Sequence, residues 1–283
     1  MREKPSAGTR GARTPVRTLV IDIGGSGIKA ETLDANGKPL TQRSRIPTPK
    51  KATPKQVIAI VRKLAEEQGG FDRVSVGFPG VIKDGMVYTA VNLGKGWKGF
   101  PLARALRKKL GHPIRRANDA DVQGLGAARG HGLEMVVTLG TGFGSVLFVN
   151  GMRLHLELGH HPFRKGHTYE EELGHRALLK KGKKRWNRHL REAIDDLKRT
   201  FNYDRLYIGG GNAAKIVAKL DPDVKIISNE QGLLGGIKLW RDEDSATIGK
   251  RGEVKAGAEP SAGPLAATDG TVRATRTNSR ART

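Results

Sequence analysis

The sequence contains no cysteine. That excludes disulfides and every thiolate-ligated zinc site, and it is compatible with a reducing compartment. Aromatic residues are scarce, at 5% of the chain, so a nucleic-acid surface with interleaved stacking side chains has little to build on. Long apolar runs are missing too: no stretch approaches the roughly 20 residues that cross a bilayer. The N-terminus has no apolar core of a signal peptide, and the expected location is the cytoplasm, away from membranes. Acidic residues are in short supply, 28 against 51 basic ones, which leaves a formal charge of +23. Residues 1–17 hold +4 of this and residues 241–283 hold +2, so most of the excess lies between them. Such a surface attracts polyanions such as nucleic acid, anionic lipid or polyphosphate, or else serves solubility alone.

What the chain does have is glycine, 38 in 283 residues, with a hydrophobic fraction of 37%. This fits a Gly-rich α/β protein long enough for two lobes. Residues 1–17 read as a disordered basic leader and 241–283 as a disordered tail, neither having a pattern that buries a core. Between them, 18–116 is expected as an N-terminal lobe, 117–228 as a C-terminal lobe, and 229–240 as a helix packing back on both. The stretch Leu19 to Ala30, LVIDIGGSGIKA, predicts strand, glycine turn, strand. A second such stretch starts at Met135, turns at Gly140-Thr-Gly-Phe-Gly-Ser145 and continues through Val149, about 116 positions on. Two similar hairpins, each followed by mixed strands and helices, point to a duplicated fold. Helical spacing predicts helices over 56–68, 101–110, 120–129, 169–180, 186–201, 213–220 and 232–240.

The turns suit an anion. Gly24, Gly25 and Gly27 lack Cβ atoms, so the backbone can take positive φ and bring N–H groups, with the Ser26 hydroxyl, against phosphate oxygens. Asp22, at the end of its strand, is placed to reach a phosphate-bound Mg²⁺ through water, with Lys29 leaving the turn. An ordinary hairpin with a surface Asp remains open for this motif alone. Gly209-Gly-Gly-Asn212 lies between a predicted strand and a predicted helix, again a place for phosphate.

Phosphoryl transfer to a hydroxyl also needs a carboxylate to take the proton. Asp119, after Asn118 at a strand end, suits that role, and Asn118 has the donor and acceptor that a sugar diol requires. Either side chain also suits the cap of the following helix. Glu157-Leu-Gly-His160 follows the second hairpin and can hold neighbouring sugar hydroxyls. Glu172-Leu-Gly-His175 repeats the tetrapeptide fifteen residues later but falls inside a predicted helix. His155, His160, His161, His167 and His175 invite a metal reading, yet their spacing fits no structural zinc site, and none is expected. Arg176 to Arg191 carries eight Lys/Arg and no acid. It is either a solvated face or a track for a polyanionic donor, formed by Lys180, Lys181, Lys183, Lys184, Arg185 and Arg188.

As an ordered set, D-x-G-G-S at 22–26, G-F-P-G at 77–80, Asn-Asp at 118–119, L-G-T-G-x-G-S at 139–145, E-L-G-H at 157–160 and G-G-G-N at 209–212 resembles the ROK family of sugar kinases. The resemblance spans about residues 17–240. It implies the α/β actin-like ATPase fold (ribonuclease H-like), a duplicated fold of two lobes with a cleft between them. Tyr169-Glu-Glu171 and the basic helix resemble the polyphosphate glucokinase branch, in which polyphosphate, and often ATP, phosphorylates the 6-hydroxyl of glucose. By that resemblance Asp119 is the base; Asn118, Glu157 and His160, with Asn92 and Glu171 more weakly, hold glucose. Asp22, Gly24, Gly25, Ser26, Thr141 and Gly142 bind phosphate and Mg²⁺, while Gly210, Gly211 and Asn212 face the nucleotide. The Cys-rich zinc motif of many members is missing. A homodimer is implied by the family only. The alternatives are an ATP-only kinase of another hexose or N-acetylated amino sugar, a non-catalytic sugar sensor or regulator, and a basic nucleic-acid scaffold. Regulators of this family carry an N-terminal helix-turn-helix, and with 17 residues ahead of the first glycine-turn strand the regulator is not the expected reading.

Overall fold

In the computed structural model, which describes residues 15–90 and 92–241, the first hairpin forms as its sequence anticipates. β1 (Thr18–Ile23) and β2 (Ile28–Leu33) pair antiparallel, with Ile23 opposite Ile28 around the glycine turn. β3 (Ser44–Ile46) joins the free edge of β2. α1 (Pro54–Glu67) follows, opened by a Thr53–Gln56 capping box with Pro at its first turn, and buries Val57, Val61 and Leu64. β4 (Arg73–Phe78) returns parallel to β1. A small hairpin, β5 (Ile82–Lys83) and β6 (Met86–Val87), leads to α2 (Leu102–Leu110) and then to β7 (Ile114–Asn118), parallel to β4. The first sheet therefore runs β3-β2-β1-β4-β7. α3 (Asp119–Ala127) springs directly from the end of β7.

The second half repeats the plan. β8 (Leu133–Leu139), β9 (Phe143–Val149) and β10 (Met152–Leu156) form an antiparallel meander. After a 3-10 turn at Leu158–His160 come β11 (Pro162–Arg164), β12 (His167–Thr168), α4 (Tyr169–Leu173) and α5 (His175–Phe201). β13 (Arg205–Gly209) then pairs parallel to β8, and β14 (Val224–Ile226) parallel to β13, before α6 (Asn229–Lys238). The resulting order, β10-β9-β8-β13-β14, has the strand sense of the first sheet position by position. The fold is thus a duplicated α/β fold with two lobes, each with its own core. Leu19, Ile21, Val76 and Phe78 pack on α1 and α2 in the first, and Met135, Val137 and Leu206 pack on Trp186, Leu190 and Ile194 of α5 in the second.

α3 and α6 join the halves. Val122 and Leu125 of α3 pack on Val136, Val146 and Phe148 of the second sheet. α6 crosses α3 closely at Gly235 and lies on Val20 of β1 at Gly236. On the first-sheet side, Ser75 Oγ donates to the Gly236 carbonyl (2.6 Å) and Trp240 Nε1 donates to Ser75 Oγ (2.7 Å).

Two expected helices differ. The helix expected over 213–220 is only a 3-10 turn at Ala213–Lys215. Asn187 of α5 takes the N–H groups of Val217 and Ala218 on its Oδ1 (2.8 and 3.1 Å), groups that a helix would have bonded within itself. The helix expected over 169–180 breaks at Gly174, whose extended backbone separates α4 from α5. The basic helix continues to Phe201 but turns at Gly182, where φ is 75° and ψ is 157°. The disorder expected for 1–17 and 241–283 falls almost wholly outside the described residues.

Candidate active site

Parallel strands end together, and in open α/β sheets the carboxyl ends of strands are where ligands bind. Here the ends of β1, β4 and β7 from one sheet meet those of β8 and β13 from the other around a cleft of about 360 Å³. Asp22 comes from β1, Asn118 and Asp119 from the β7–α3 junction, Thr141 and Gly142 from the second glycine turn, and Gly210, Gly211 and Asn212 from beyond β13.

None of Gly24, Gly25 and Gly27 has a positive φ, contrary to the conformational reason expected for them. What they supply is room. A Cβ on Gly25 would stand 3.1 Å from Asn92 Cβ and 3.4 Å from Thr141 Cγ2, so the two glycine turns approach each other with Asn92 between them. The first turn is braced by Gly24 N donating to Gly27 O (3.1 Å) and Thr48 Oγ1 donating to Gly24 O (2.6 Å). Asp22 Oδ2 accepts from Lys29 Nζ at 3.1 Å, and Lys29 lines the same cleft.

Asp119 is the first residue of α3 and lies on the cleft floor. Gly77 passes beside it: a Cβ there would be 3.7 Å from Asp119 Cα and 3.8 Å from Asp22 Oδ1, which brings the two carboxylate-bearing strand ends close. Burial pushes the Asp119 carboxyl up to about 7; the charge of Asp22 adds to this, the Ala120 N–H opposes it, and Asp121 and Glu157 add further. Asn118 is the N-cap, its Oδ1 accepting from Ala120 N at 2.8 Å while Nδ2 donates to Gly80 O at 3.3 Å. The capping role and the cleft position belong to one side chain, so these two readings do not compete.

Glu157 and His160 line the cleft on and beside the 3-10 turn that follows β10. That turn is held by Ser145 Oγ, which accepts from Leu158 N (3.1 Å) and donates to Leu156 O (3.2 Å). Behind Glu157 stands His155, its Nε2 2.8 Å from Glu157 Oε1 and its Nδ1 3.2 Å from Asp121 Oδ1. Those bonds to Asp121 and Glu157 raise the imidazole to about 10, against its burial.

Several placements depart from the expectation. Glu171 does not line the cleft: its carboxylate accepts from Thr168 N (2.9 Å) in the capping box that starts α4, and that bond holds it below the usual carboxylate range. Its neighbour Glu170 lines the cleft instead, its Oε2 3.4 Å from Phe143 N, against Gly142 and near Asn92. Asn212 is present but its side chain is engaged, Nδ2 donating to Gly140 O (3.0 Å) and Oδ1 facing His175 Nδ1 (3.2 Å). His175, set aside in the sequence as mid-helix, begins α5 and lines the cleft because the chain breaks at Gly174. Its signal was the glycine before it. Lys180, Lys183, Lys184, Arg185 and Arg188 are exposed along α5, outside the cleft. Lys181 is turned inward onto buried Glu172, whose Oε2 also lies 2.6 Å from His189 Nδ1. Pro79, Gly80, Thr89, Gln123, Thr138, Gly140, Phe143 and Gly144 also line the cleft. Among the described residues no three or more His, Asp or Glu side chains converge to hold a metal ion by themselves, and no helix is long and apolar enough to cross a membrane.

The sequence profile described as the ROK family matches residues 18–182. A polyphosphate glucokinase of Mycobacterium tuberculosis (strain ATCC 25177 / H37Ra) is 32% identical over 235 residues, covering 78% of this chain and 86% of the relative. Among solved structures, the inorganic polyphosphate/ATP-glucomannokinase from Arthrobacter sp. strain KM superposes with a TM-score of 0.73 at 30% identity, over 80% of this chain and 99% of that one. A ROK family glucokinase from Streptomyces griseus, solved with glucose and AMPPNP, gives 0.64 at 20% identity over 79% and 98%, a likeness of fold.

Proposed function

Since the chain belongs to the ROK family of sugar kinases, we propose that it is a glucokinase that transfers the terminal phosphoryl group of inorganic polyphosphate, and of ATP, to the 6-hydroxyl of glucose. The observation that carries the reading is one cleft lined together by Asp119, Asn118, Glu157 and His160 and by both glycine turns. Glucose lies against Asn118, Glu157 and His160, with Asn92 and Glu170 completing its surroundings. Asp119 takes the proton of the 6-hydroxyl as that oxygen bonds to the terminal phosphorus, and the bridging oxygen leaves with the shortened chain. Gly25, Ser26, Thr141 and Gly142 present backbone and hydroxyl donors to the phosphates, while Gly24, its N–H bonded to Gly27 O, shapes the turn.

The residues present fit Mg²⁺. Asp22 is an oxygen donor at the mouth of the phosphate turn, and its charge beside Asp119 is unfavourable enough to raise that carboxyl. Asp22 would hold the ion through water, and Mg²⁺ bound there would neutralise charge on the donor phosphates. One feature favours polyphosphate: His175, in the cleft lining, begins α5, whose exposed basic residues continue along the helix.

The test is glucose 6-phosphate formation by the purified chain with Mg²⁺, polyphosphate and ATP being compared as donors. Turnover with polyphosphate is expected. Turnover with ATP alone would remove the polyphosphate assignment, and activity restricted to another hexose or an N-acetylated sugar would overturn glucose.

A further inference from the structure

His155 has no part in the proposed reaction, yet its contacts are specific. It lies on β10 opposite Val146 of β9. The charged groups that face it are Asp121 from α3, Glu157 from the segment after β10, and Arg153 from its own strand, which lies 3.7 Å from the other Asp121 oxygen. Ionised carboxylates only accept hydrogen bonds, so contacts from both ring nitrogens to two carboxylates require a proton on each nitrogen. The imidazole is then a cation between two anions, one of them on a largely buried residue. Asp121 also belongs to α3, two residues after Asp119, so the chain of contacts ends on the helix that carries the base.

We propose that His155 is a positioning residue for sugar recognition, protonated throughout the working pH range. It occupies Glu157 Oε1, leaves Oε2 to the sugar hydroxyls, and ties that carboxylate through Asp121 to the helix bearing Asp119. The reading rests on the proposed glucose site for its consequence but not for its geometry. Glu157 is 41% exposed, on a short segment between β10 and a 3-10 turn. Unclamped, it is free to turn away, and a sugar held loosely relative to the base reacts more slowly than one held in line. The raised imidazole agrees: a cation retained to about 10 contributes stability that is complete below the ordinary histidine range near 6.5 and is lost as pH rises through about 10.

Two readouts test this on the full chain. In ¹⁵N-edited spectra of the ligand-free protein, both ring N–H signals of His155, assigned by their loss in His155→Gln, are expected to persist from pH 6 to pH 9. An imidazole that titrates near 6.5 overturns the proposal, whatever sugar the enzyme uses. In steady-state kinetics His155→Gln is expected to raise the glucose KM about tenfold or more, with kcat within about threefold and the polyphosphate KM unchanged. Asp121→Asn, which keeps the Glu157 contact, should give a smaller rise. A loss confined to kcat, or equal changes in both substrates' KM values, would assign His155 to the fold instead. Retained ring signals in a protein that phosphorylates no sugar would leave the clamp supported and the glucokinase reading overturned.

Discussion

Asp119 can act as a base only where it is ionised, and its surroundings decide where that is. Burial and the charge of Asp22 hold the carboxyl protonated up to about 7. Turnover is therefore expected to fall about tenfold per unit below that pH and to level off above it. Asp119→Asn keeps the size and loses the base; kcat should drop by about 10² to 10⁴ while calorimetric glucose binding stays close to that of the parent. Stability runs the other way. The folded chain retains a proton that the unfolded chain releases near 3.8, so this residue makes the fold less stable as pH rises from about 4 to about 7. The variant should melt above the parent at pH 8 and level with it at pH 4, and equal melting at pH 8 would mean that the site does not strain the carboxylate. The position of Asp119 was legible because a strand ending in Asn-Asp must place both residues at the sheet's carboxyl end. The choice between Glu170 and Glu171 was not, since it depends on which of two adjacent glutamates the capping box of α4 consumes.

At the scale of an element, α5 is the case to test. Gly182 has a backbone conformation that is essentially reserved for glycine, and a Cβ there would meet nothing within 4 Å, so a substitution is penalised through the backbone alone. Gly182→Ala should cost roughly 1–3 kcal/mol in denaturant melts. Because the bend separates Lys180 from Lys183 and the residues beyond, it should also raise the polyphosphate KM and leave the glucose KM alone. Within the same helix, Lys184→Ala is expected to weaken polyphosphate and leave melting unchanged. Lys181→Ala should do the reverse, since it strips buried Glu172 of its ammonium partner. If both lysines affect only the donor, the inward placement of Lys181 is wrong. Sequence showed eight basic residues in a row of sixteen; only packing separates exposed Lys180, Lys183, Lys184, Arg185 and Arg188 from Lys181, which turns inward onto Glu172.

For the whole molecule, the charge of +23 and the duplicated sheets make one device. The sheets present their strand ends to each other, and on the proposed reading the basic surface beside the cleft serves to concentrate a polyanionic donor. Basic residues that neutralise many phosphates of long polyphosphate release the cations condensed on that polyanion, whereas ATP carries only three phosphates. Raising salt from about 50 to about 200 mM should therefore cut kcat/KM for polyphosphate steeply and for ATP only slightly. Parallel slopes for the two donors would return the charge to solubility.

The sequence by itself determined the two glycine-turn hairpins, the strand ends that carry Asp22 and Asp119, and the duplicated plan. Each follows from local rules: glycine-permitted close approach, apolar runs of strand length, and a turn where those runs stop. Tertiary structure decided what depends on partners far along the chain. Asn187 unmakes the helix expected after Gly211 by taking the N–H groups of residues 30 and 31 positions away. A break at Gly174 turns His175 from a mid-helix residue into part of the cleft. His155 meets Asp121, 34 positions earlier, as well as its near neighbour Glu157. Hydrogen bonds and burial between distant segments set these outcomes, and no spacing within a segment encodes them.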